Sequence, residues 1–479
     1  MPFRLLYVVA TSAPVLLTFA AFGWGGNTVA GRLAVGEISP MVVVFMRWTI
    51  VFTILLLYCG NLNRIPKILQ GNWAWAFSMG AFGICLFNAL FYIAAKSTTA
   101  MNLGLIQCSM PMFILIGFLA FHAGLTKSLF EAAKRWLGRL PGGLAVATVF
   151  ATAGFAAVSG ASTATAAVFA RVAIPEMLRD GYNRKLAAGV VAAGGTLATL
   201  IPPSAILVIY AIIVEESVGQ LLLAGFLPGI VSALIYGLII VSIVSFKPDM
   251  GPKTRIYSLK EKIVSLPSTI PIFSVIIIIF GSMYFGWATP TEAGALGAFV
   301  VFVIAVLKGM KTSALKSALY ETAKLTVMIF SIIWGVLVYV RFLGFAGLPN
   351  AFSNWITSLD YPPLAILLCI LLVYAILGMF MDAIGMLLLT LPVVQPAVIA
   401  LGYDPIWFGI IVVKMAELCL ITPPIGLNCF VVSGVRPDIP VQDVFRGCAP
   451  FFVADVLTVG VLIAFPSIVL FLPNAMQLS

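Results

Sequence analysis

The sequence predicts an all-α integral membrane protein with about 11 transmembrane helices and two re-entrant hairpins in an inverted repeat. The chain of 479 residues is 62% hydrophobic and 9% charged, with a mean hydropathy of +1.13. Because a spanning helix needs about 20 apolar residues, there is room for roughly a dozen. Two stretches also match each other at one fixed offset, which carries Pro202-Pro203 onto Pro423-Pro424. Each proline pair interrupts an apolar helix.

About 11 apolar segments are long enough to cross a bilayer. They lie at about 14–36, 40–58, 73–95, 102–121, 187–214, 221–246, 270–287, 291–307, 324–344, 405–434 and 450–472. Two further apolar regions, 142–178 and 363–400, each hold two short arms around a polar or Gly-containing middle. Half-length arms of this kind predict re-entrant hairpins rather than full crossings.

Basic residues collect in six loops, and their distribution predicts the orientation, since cytoplasmic loops retain Lys and Arg. These loops contain Arg64, Lys134, Arg184, Lys253, Lys311 and Arg436. With both hairpins treated as non-crossing, all of these loops fall on one side of the membrane. The N-terminus is then cytoplasmic and the C-terminus periplasmic. An odd number of crossings separates the two hairpins, so the second unit is inverted relative to the first.

The repeat divides the chain into four regions. Further matches at the same offset pair Pro175 with Pro396, and Gly181-Tyr182 with Gly402-Tyr403. The first repeat covers 111–246, with its hairpin at 142–178 and a broken helix at 187–214. A connecting loop and scaffold helices occupy 247–344. The inverted second repeat covers 345–479, with its hairpin at 363–400 and a broken helix at 405–434, and residues 1–110 form a separate membrane segment.

Uncharged oxygen atoms lie close to both hairpin tips and both breaks. A broken helix survives in lipid only where it lines a buried cavity, and its free carbonyl groups can coordinate Na⁺. Ligands without a fixed charge suit a monovalent cation that must bind and leave again. We expect ion binding at Ser159, Gly160, Ser162, Thr163, Thr199, Pro202, Gly378, Asp382, Thr422, Pro423 and Asn428. The alternative is that these small polar groups only join helices to one another.

Several ionisable residues fall within apolar segments, where they are costly and commonly functional. They are Glu292, Arg341, Asp382, Lys414, Glu417 and Asp455. Lys414 and Glu417 are three residues apart and share one helix face, so a structural ion pair is as good an explanation as a role in transport. We assign Ser204, Pro203, Pro424, Glu417 and Lys414 to the substrate site.

Other classes of function are disfavoured. The seven cysteines form no CxxC pair and there is a single histidine, so neither a disulfide framework nor a metal site beyond sodium is expected. A protease is disfavoured because the sequence contains no HExxH motif, and we expect no enzyme activity and no cofactor. The net charge of +10 is explained by the basic loops, so a nucleic-acid partner is not expected.

From about Met110 onward the chain resembles the large membrane subunit of a tripartite ATP-independent periplasmic (TRAP) transporter. The matching segments are LGRLPGGLA at 137–145, SGASTATA at 159–166, AAGVVAAGGTL at 187–197, TPTEA at 289–293, LGMFMD at 377–382 and LITPPIGLN at 420–428. The resemblance implies an elevator-type importer of the bacterial inner membrane, usually driven by Na⁺, for carboxylate-bearing solutes. It also implies a small membrane subunit and a periplasmic substrate-binding protein as partners. One sodium would lie between the 159–163 tip and the 199–203 break, another between the 378–382 tip and the 422–428 break, with substrate between them.

The segment 1–110 resembles a different family, the EamA-type drug/metabolite transporters. The matching segments are WGGNTVA at 24–30, EISP at 37–40, FMRW at 45–48, FYIAA at 91–95 and LIQCSMP at 105–111. They cover most of one repeat of a family that normally needs two. The chain is therefore interpreted as a fusion of two transporter fragments. The alternatives to an importer are an EamA-type exporter and a fusion remnant that transports nothing.

Overall fold

The computed structural model describes residues 42, 45, 46, 49, 50, 100–252 and 257–477. The chain divides into two compact units, Met1–Cys108 and Ser109–Ser479. The predicted crossings at 14–36 and 73–95, and nearly all of the one at 40–58, lie outside the described residues. So do most of the EamA-like segments and the side chain of Arg341. The described part of the chain contains helices and no strand.

From residue 100 onward, the first half of the described chain contains a helical hairpin followed by a broken helix. Its helices are α1 (Ala100–His122), α2 (Leu125–Leu137), α3 (Gly143–Ser159), α4 (Ser162–Arg179), α5 (Arg184–Thr196), α6 (Ala205–Val214) and α7 (Val218–Phe246). A short 3-10 turn, Leu197–Thr199, continues α5 up to the proline pair. The side chains of Asn183, Ser204 and Ser217 cap the starts of α5, α6 and α7 by accepting backbone N–H bonds.

The described residues of the connecting region form four α-helices. They are α8 (Leu259–Ser265), α9 (Ile270–Tyr284), α10 (Pro290–Leu307) and α11 (Thr312–Phe345). Glu292 lies in the first turn of α10, where it forms a capping box with Thr289. Its carboxylate therefore completes the start of its own helix. Helix α11 begins at Thr312, well ahead of the predicted crossing at 324–344, because the polar segment before that crossing is also helical.

The second half again contains a hairpin and a broken helix. Its helices are α12 (Leu348–Thr357), α13 (Pro363–Phe380), α14 (Ala383–Ala400), α15 (Pro405–Cys419), α16 (Leu427–Val435), α17 (Val441–Ala464) and α18 (Ser467–Gln477). The predicted final crossing at 450–472 is wrong in its bounds. Helix α17 begins at Val441, and the chain breaks at Phe465-Pro466 because proline cannot continue the backbone ladder.

The helix boundaries repeat at the offset found in the sequence. Moving α3, α4 and α5 along the chain by that offset gives 364–380, 383–400 and 405–417, which nearly coincide with α13, α14 and α15. The peptide bonds Pro202-Pro203 and Pro423-Pro424 are both cis, and Gly181 and Gly402 both adopt a left-handed backbone conformation. The sequence repeat is thus a structural repeat.

The hairpin arms are longer than the sequence analysis predicted. They contain 17, 18, 18 and 18 residues, or about 26 Å each at 1.5 Å per residue. Within the described residues, five helices are long and apolar enough to cross a membrane, or up to seven if each of two bent pairs counts as one span. Both arms of the second hairpin are among the five, so length does not decide whether that hairpin re-enters, and re-entry stays a prediction.

The two halves pack against each other reciprocally. Helix α4 of the first hairpin contacts α16 of the second broken helix, and α14 of the second hairpin contacts α6 of the first broken helix. In the same way α5 packs on α17, and α15 packs on α7. A two-fold relation between the repeats requires such paired contacts, because each contact from the first half to the second is then matched by the equivalent contact from the second half to the first.

Candidate functional site

The first hairpin tip lies directly against the first helix break. Gly160 ends α3 with a left-handed backbone (φ 59), and a Cβ built at Gly160 would lie 2.2 Å from the carbonyl oxygen of Pro203. Only glycine permits both features. Beside it the buried hydroxyls of Ser159 and Thr165 form a hydrogen bond of 2.8 Å. The tip therefore supplies hydroxyl and carbonyl oxygens next to the proline pair.

Local hydrogen bonds terminate the helix at the first break. The Thr199 hydroxyl donates to the Thr196 carbonyl at 2.9 Å, and the Ser204 hydroxyl donates to the Thr199 carbonyl. The Ser204 oxygen also accepts the Leu207 N–H at 3.3 Å, which starts α6. These side chains and the proline pair, Pro202 and Pro203, are buried. In this conformation Ser204 and Pro203 are not open to a solute.

Asn428 connects the second break to the first hairpin. Its side-chain amide donates to the Ser162 hydroxyl at 2.8 Å and to the Ala192 carbonyl at 3.0 Å. The side chain is fully buried, and its Oδ1 atom has no hydrogen-bond partner. The Thr422 hydroxyl donates to the Leu418 carbonyl at 2.6 Å in the turn before Pro423. Predicted site residues from the two halves, Ser162 and Asn428, are thus in direct contact.

The second hairpin tip is more open than the first. Asp382 is exposed, and its carboxylate caps α14 by accepting the N–H groups of Ile384 and Gly385, each at 3.1 Å. Gly378 packs against the second broken helix so closely that an added Cβ would lie 1.5 Å from the Cys419 Sγ atom. Pro423 and Pro424 are also exposed. In the second half, Asp382, Pro423 and Pro424 are therefore exposed, whereas Gly378, Thr422 and Asn428 are buried.

A buried charge cluster lies one turn before the second break. The Lys414 ammonium is 2.7 Å from a Glu417 oxygen and 2.7 Å from Asp455 Oδ1, and it donates to the Ser232 hydroxyl at 2.6 Å. The Tyr236 hydroxyl donates to the same Asp455 oxygen at 2.6 Å. All five side chains are fully buried. The structure therefore gives Lys414 and Glu417 protein partners, and their predicted contact with substrate stays a prediction.

A cavity of about 200 Å³ adjoins the first hairpin tip. Its wall includes Ser159 and Ala161 from the tip, Phe118 from α1, Arg171 from α4 and Glu321 from α11. Arg171 is not among the ionisable residues predicted from the sequence, although it lies in the apolar region 142–178. Arg171, an exposed residue, therefore lines the same cavity as the hairpin tip.

A model of the family described as the tripartite ATP-independent periplasmic transporter, DctM component, matches residues 32–468. The chain belongs to this family. The matched range of this TRAP permease includes most of the segment that resembles EamA transporters. The proposed fusion is accordingly still a prediction.

Curated relatives of the TRAP permease differ in the solutes they are named for. This chain is 36% identical to the C4-dicarboxylate TRAP transporter large permease protein DctM of Pseudomonas aeruginosa, over 78% of this chain and 87% of the relative. It is 30% identical to the sialic acid TRAP transporter large permease protein SiaM of Vibrio cholerae, over 81% and 93%. The ectoine TRAP transporter large permease protein TeaC of Halomonas elongata is 30% identical, over 76% and 85%.

The fold is similar to that of a solved membrane transporter. The crystal structure of the Alcanivorax borkumensis YdaH transporter superposes with a TM-score of 0.51 at 15% identity, covering 76% of this chain and 87% of the other. This similarity supports the transporter fold alone.

Proposed function

We propose that this TRAP large permease imports a carboxylate-bearing solute across the bacterial inner membrane, driven by sodium ions that bind at the two helix breaks. The observation that carries the proposal is the buried, unpartnered Oδ1 atom of Asn428, where both halves of the repeat meet. An orphaned buried oxygen calls for a ligand. An uncharged oxygen beside broken helices is of the kind that binds Na⁺ in secondary transporters.

The solute site is proposed to lie between the two breaks and to be reached through the cavity lined by Arg171. A guanidinium recognises a carboxylate through paired hydrogen bonds, which favours an acidic solute. Names of the curated relatives include C4-dicarboxylate and sialic acid.

We propose an elevator movement of the inverted repeats. The reciprocal contacts of α4 with α16 and of α14 with α6 support a two-fold relation. The basic loops support the inversion and the cytoplasmic N-terminus. Solute and sodium would then be exposed alternately on the two sides.

The proposed partners follow from the family name. The system is tripartite and periplasmic, and the relatives are named as its large permease. We therefore propose that this chain works with a small membrane subunit and a periplasmic substrate-binding protein, surrounded by lipid. The EamA-like segment is proposed to replace the first helices of the permease. If the chain is such a fusion, the alternatives are an exporter and a remnant that transports nothing.

Reconstitution of the whole chain in proteoliposomes, with candidate small and binding subunits, tests this function. We expect uptake of a carboxylate solute that requires the binding protein and an inward sodium gradient. Uptake should fall at least tenfold in Asn428→Ala, because that change removes the link to Ser162 and the free oxygen together. Export without a binding protein would contradict the proposal in favour of an EamA-type exporter. The absence of any transport would favour the remnant.

A further inference from the structure

The Lys414 cluster carries more negative than positive charge. One ammonium faces two carboxylates, those of Glu417 and Asp455, and all three groups are fully buried. In the part of the chain that the structure describes, no second Lys, Arg or His pairs with either carboxylate. If both acids were ionised, one net negative charge would be buried without a counter-charge, and such burial is very unfavourable.

Hydrogen bonding distinguishes the two acids. Asp455 Oδ1 accepts from Lys414 and Tyr236, and these bonds stabilise the ionised form of Asp455. One Glu417 oxygen is equally close to the Lys414 ammonium, at 2.7 Å, and Thr196 is its other polar neighbour. Glu417 receives no hydroxyl proton comparable to that of Tyr236, because the Thr196 hydroxyl donates to the Ala193 carbonyl. Asp455 Oδ2 is buried without a donor. The cluster lacks donors, and a proton on Glu417 would convert one of its acceptors into a donor.

Among the described residues, the helices around the cluster offer no second cation to neutralise the charge. Tyr236 of α7 already donates to Asp455. On α5, the Thr196 hydroxyl donates to the Ala193 carbonyl, and on α17, Cys448 lies near Asp455 with its thiol against that of Cys429. Cys419 of α15 donates its thiol to the Met415 carbonyl. The described residues also contain no group of three His, Cys, Asp or Glu side chains that could hold a metal ion, and a cation between the acids would be repelled by the Lys414 ammonium.

We propose that this cluster is a proton-binding site, in which Glu417 holds one proton beside the ionised pair of Lys414 and Asp455. The site is neutral with this proton bound. The proton would lie close to the second break. The backbone carbonyl of Glu417 accepts the Leu420 N–H in the last turn before Thr422 and Pro423. Release of the proton from Glu417 leaves an uncompensated negative charge next to the second break, and this charge destabilises the break. The inference is independent of sodium binding and of the identity of the solute.

Infrared spectroscopy of the purified full-length protein tests the assignment. A protonated carboxylic acid has a carbonyl stretch well separated from that of a carboxylate, and the stretch shifts in D₂O. We expect this band in the wild type at neutral pH and its loss in Glu417→Gln. Asp455→Asn should also lose the band, because Glu417 then becomes the only counter-charge of Lys414 and ionises. Asp438→Asn is the matched control, because Asp438 is an exposed acid paired with Arg436. Absence of the band from the wild type, or its retention in Glu417→Gln, would overturn the proposal.

Thermal unfolding gives a second readout. A proton held in the folded state stabilises the protein at low pH, and this stabilisation is lost as the pH rises and the proton leaves. The melting temperature of the wild type should therefore fall at alkaline pH, whereas that of Glu417→Gln, which carries a permanently neutral side chain, should fall less. Equal falls in both proteins would contradict the proposal. Sodium-dependent stabilisation that is lost in Glu417→Gln, with no infrared band in the wild type, would instead assign a cation to the cluster.

Discussion

At the scale of single residues, small polar side chains act differently at the two breaks. Ser204 and Thr199 satisfy backbone groups of their own broken helix. Asn428 instead reaches across to Ser162 and Ala192 in the other repeat. One buried amide therefore links the second break to the first hairpin, and its oxygen has no hydrogen-bond partner.

The Thr422 hydroxyl offers a controlled test of the sodium site. Thr422→Val and Thr458→Val each remove a buried hydroxyl that donates to the carbonyl four residues earlier, at 2.6 Å and 2.8 Å. Both should cost about 0.6 kcal/mol of stability, a typical value for a hydrogen bond inside a membrane protein. Only Thr422→Val should raise the sodium concentration for half-maximal uptake, by severalfold. An equal effect of Thr458→Val on sodium dependence would show that Thr422 is only structural.

The close approach at Gly160 is also testable. Gly160→Ala adds a Cβ within 2.2 Å of the Pro203 carbonyl oxygen and places a side chain at positive φ. Gly124→Ala introduces the same kind of backbone strain, about 1–2 kcal/mol, but has no atom within 4 Å of the added Cβ. We expect loss of uptake in Gly160→Ala and retention in Gly124→Ala, measured at equal amounts of folded protein. Similar uptake by the two variants would argue against a functional contact between tip and break.

At the scale of helices, glycine determines how the repeats interlock. Helices α5 and α17 cross where Gly189 meets Gly447, and a Cβ at Gly447 would lie 1.9 Å from the Lys185 carbonyl oxygen. Small residues let membrane helices approach until their backbones touch. This close packing stabilises helix association in lipid, where there is no hydrophobic driving force between helices. This crossing joins the first broken helix to the last long helix of the second repeat.

A substitution on α17 separates this packing effect from helix propensity. Gly447→Ala should destabilise the protein by about 1–3 kcal/mol, since α5 must move to make room. Gly460→Ala lies on the same helix with nothing within 4 Å, and it should be neutral or stabilising by up to about 1 kcal/mol. Unfolding in detergent, followed by thermal or denaturant titration, measures both variants. Destabilisation by Gly460→Ala of the same size would contradict the close crossing.

At the scale of the whole described unit, reciprocal packing distinguishes a true repeat from a shared motif. Each contact from the first hairpin to the second broken helix has its equivalent from the second hairpin to the first. A two-fold axis in the membrane plane, which relates inverted repeats, and one along the membrane normal, which relates parallel repeats, both produce this pattern. The loops must therefore decide the orientation.

Ser217 and Asp438 are equivalent exposed loop positions, since the offset of the repeat carries one onto the other and each lies ahead of the long helix of its half. If the repeats are inverted, Ser217→Cys should react with a membrane-impermeant thiol reagent from the periplasm, and Asp438→Cys only after the membrane is opened. The labelling is measured in a cysteine-free background in intact cells. Reaction of both positions from the same side would contradict the inversion.

The sequence determined most of the helices by itself, because hydropathy, proline and glycine act locally. The hairpin at 142–178, the broken helices and the offset between the repeats all follow from such local signals, and the helix bounds of the two halves repeat accordingly. Predictions were weaker where local signals were ambiguous. The amphipathic helices α2 and α12 did not register as apolar segments, and the last crossing was drawn through Pro466.

Only the tertiary structure decided which side chains meet. Ser162 and Asn428 are 266 residues apart, and Lys414 is 182 residues from Ser232. No periodicity in the chain connects such pairs, since their contact depends on how separate helices pack. The sequence marked Asp455 as a costly charge within an apolar segment, but its two partners, Lys414 and Tyr236, emerge only when α7, α15 and α17 are brought together. Local chemistry determines where the helices break, and long-range packing determines which breaks and hairpin tips come into contact.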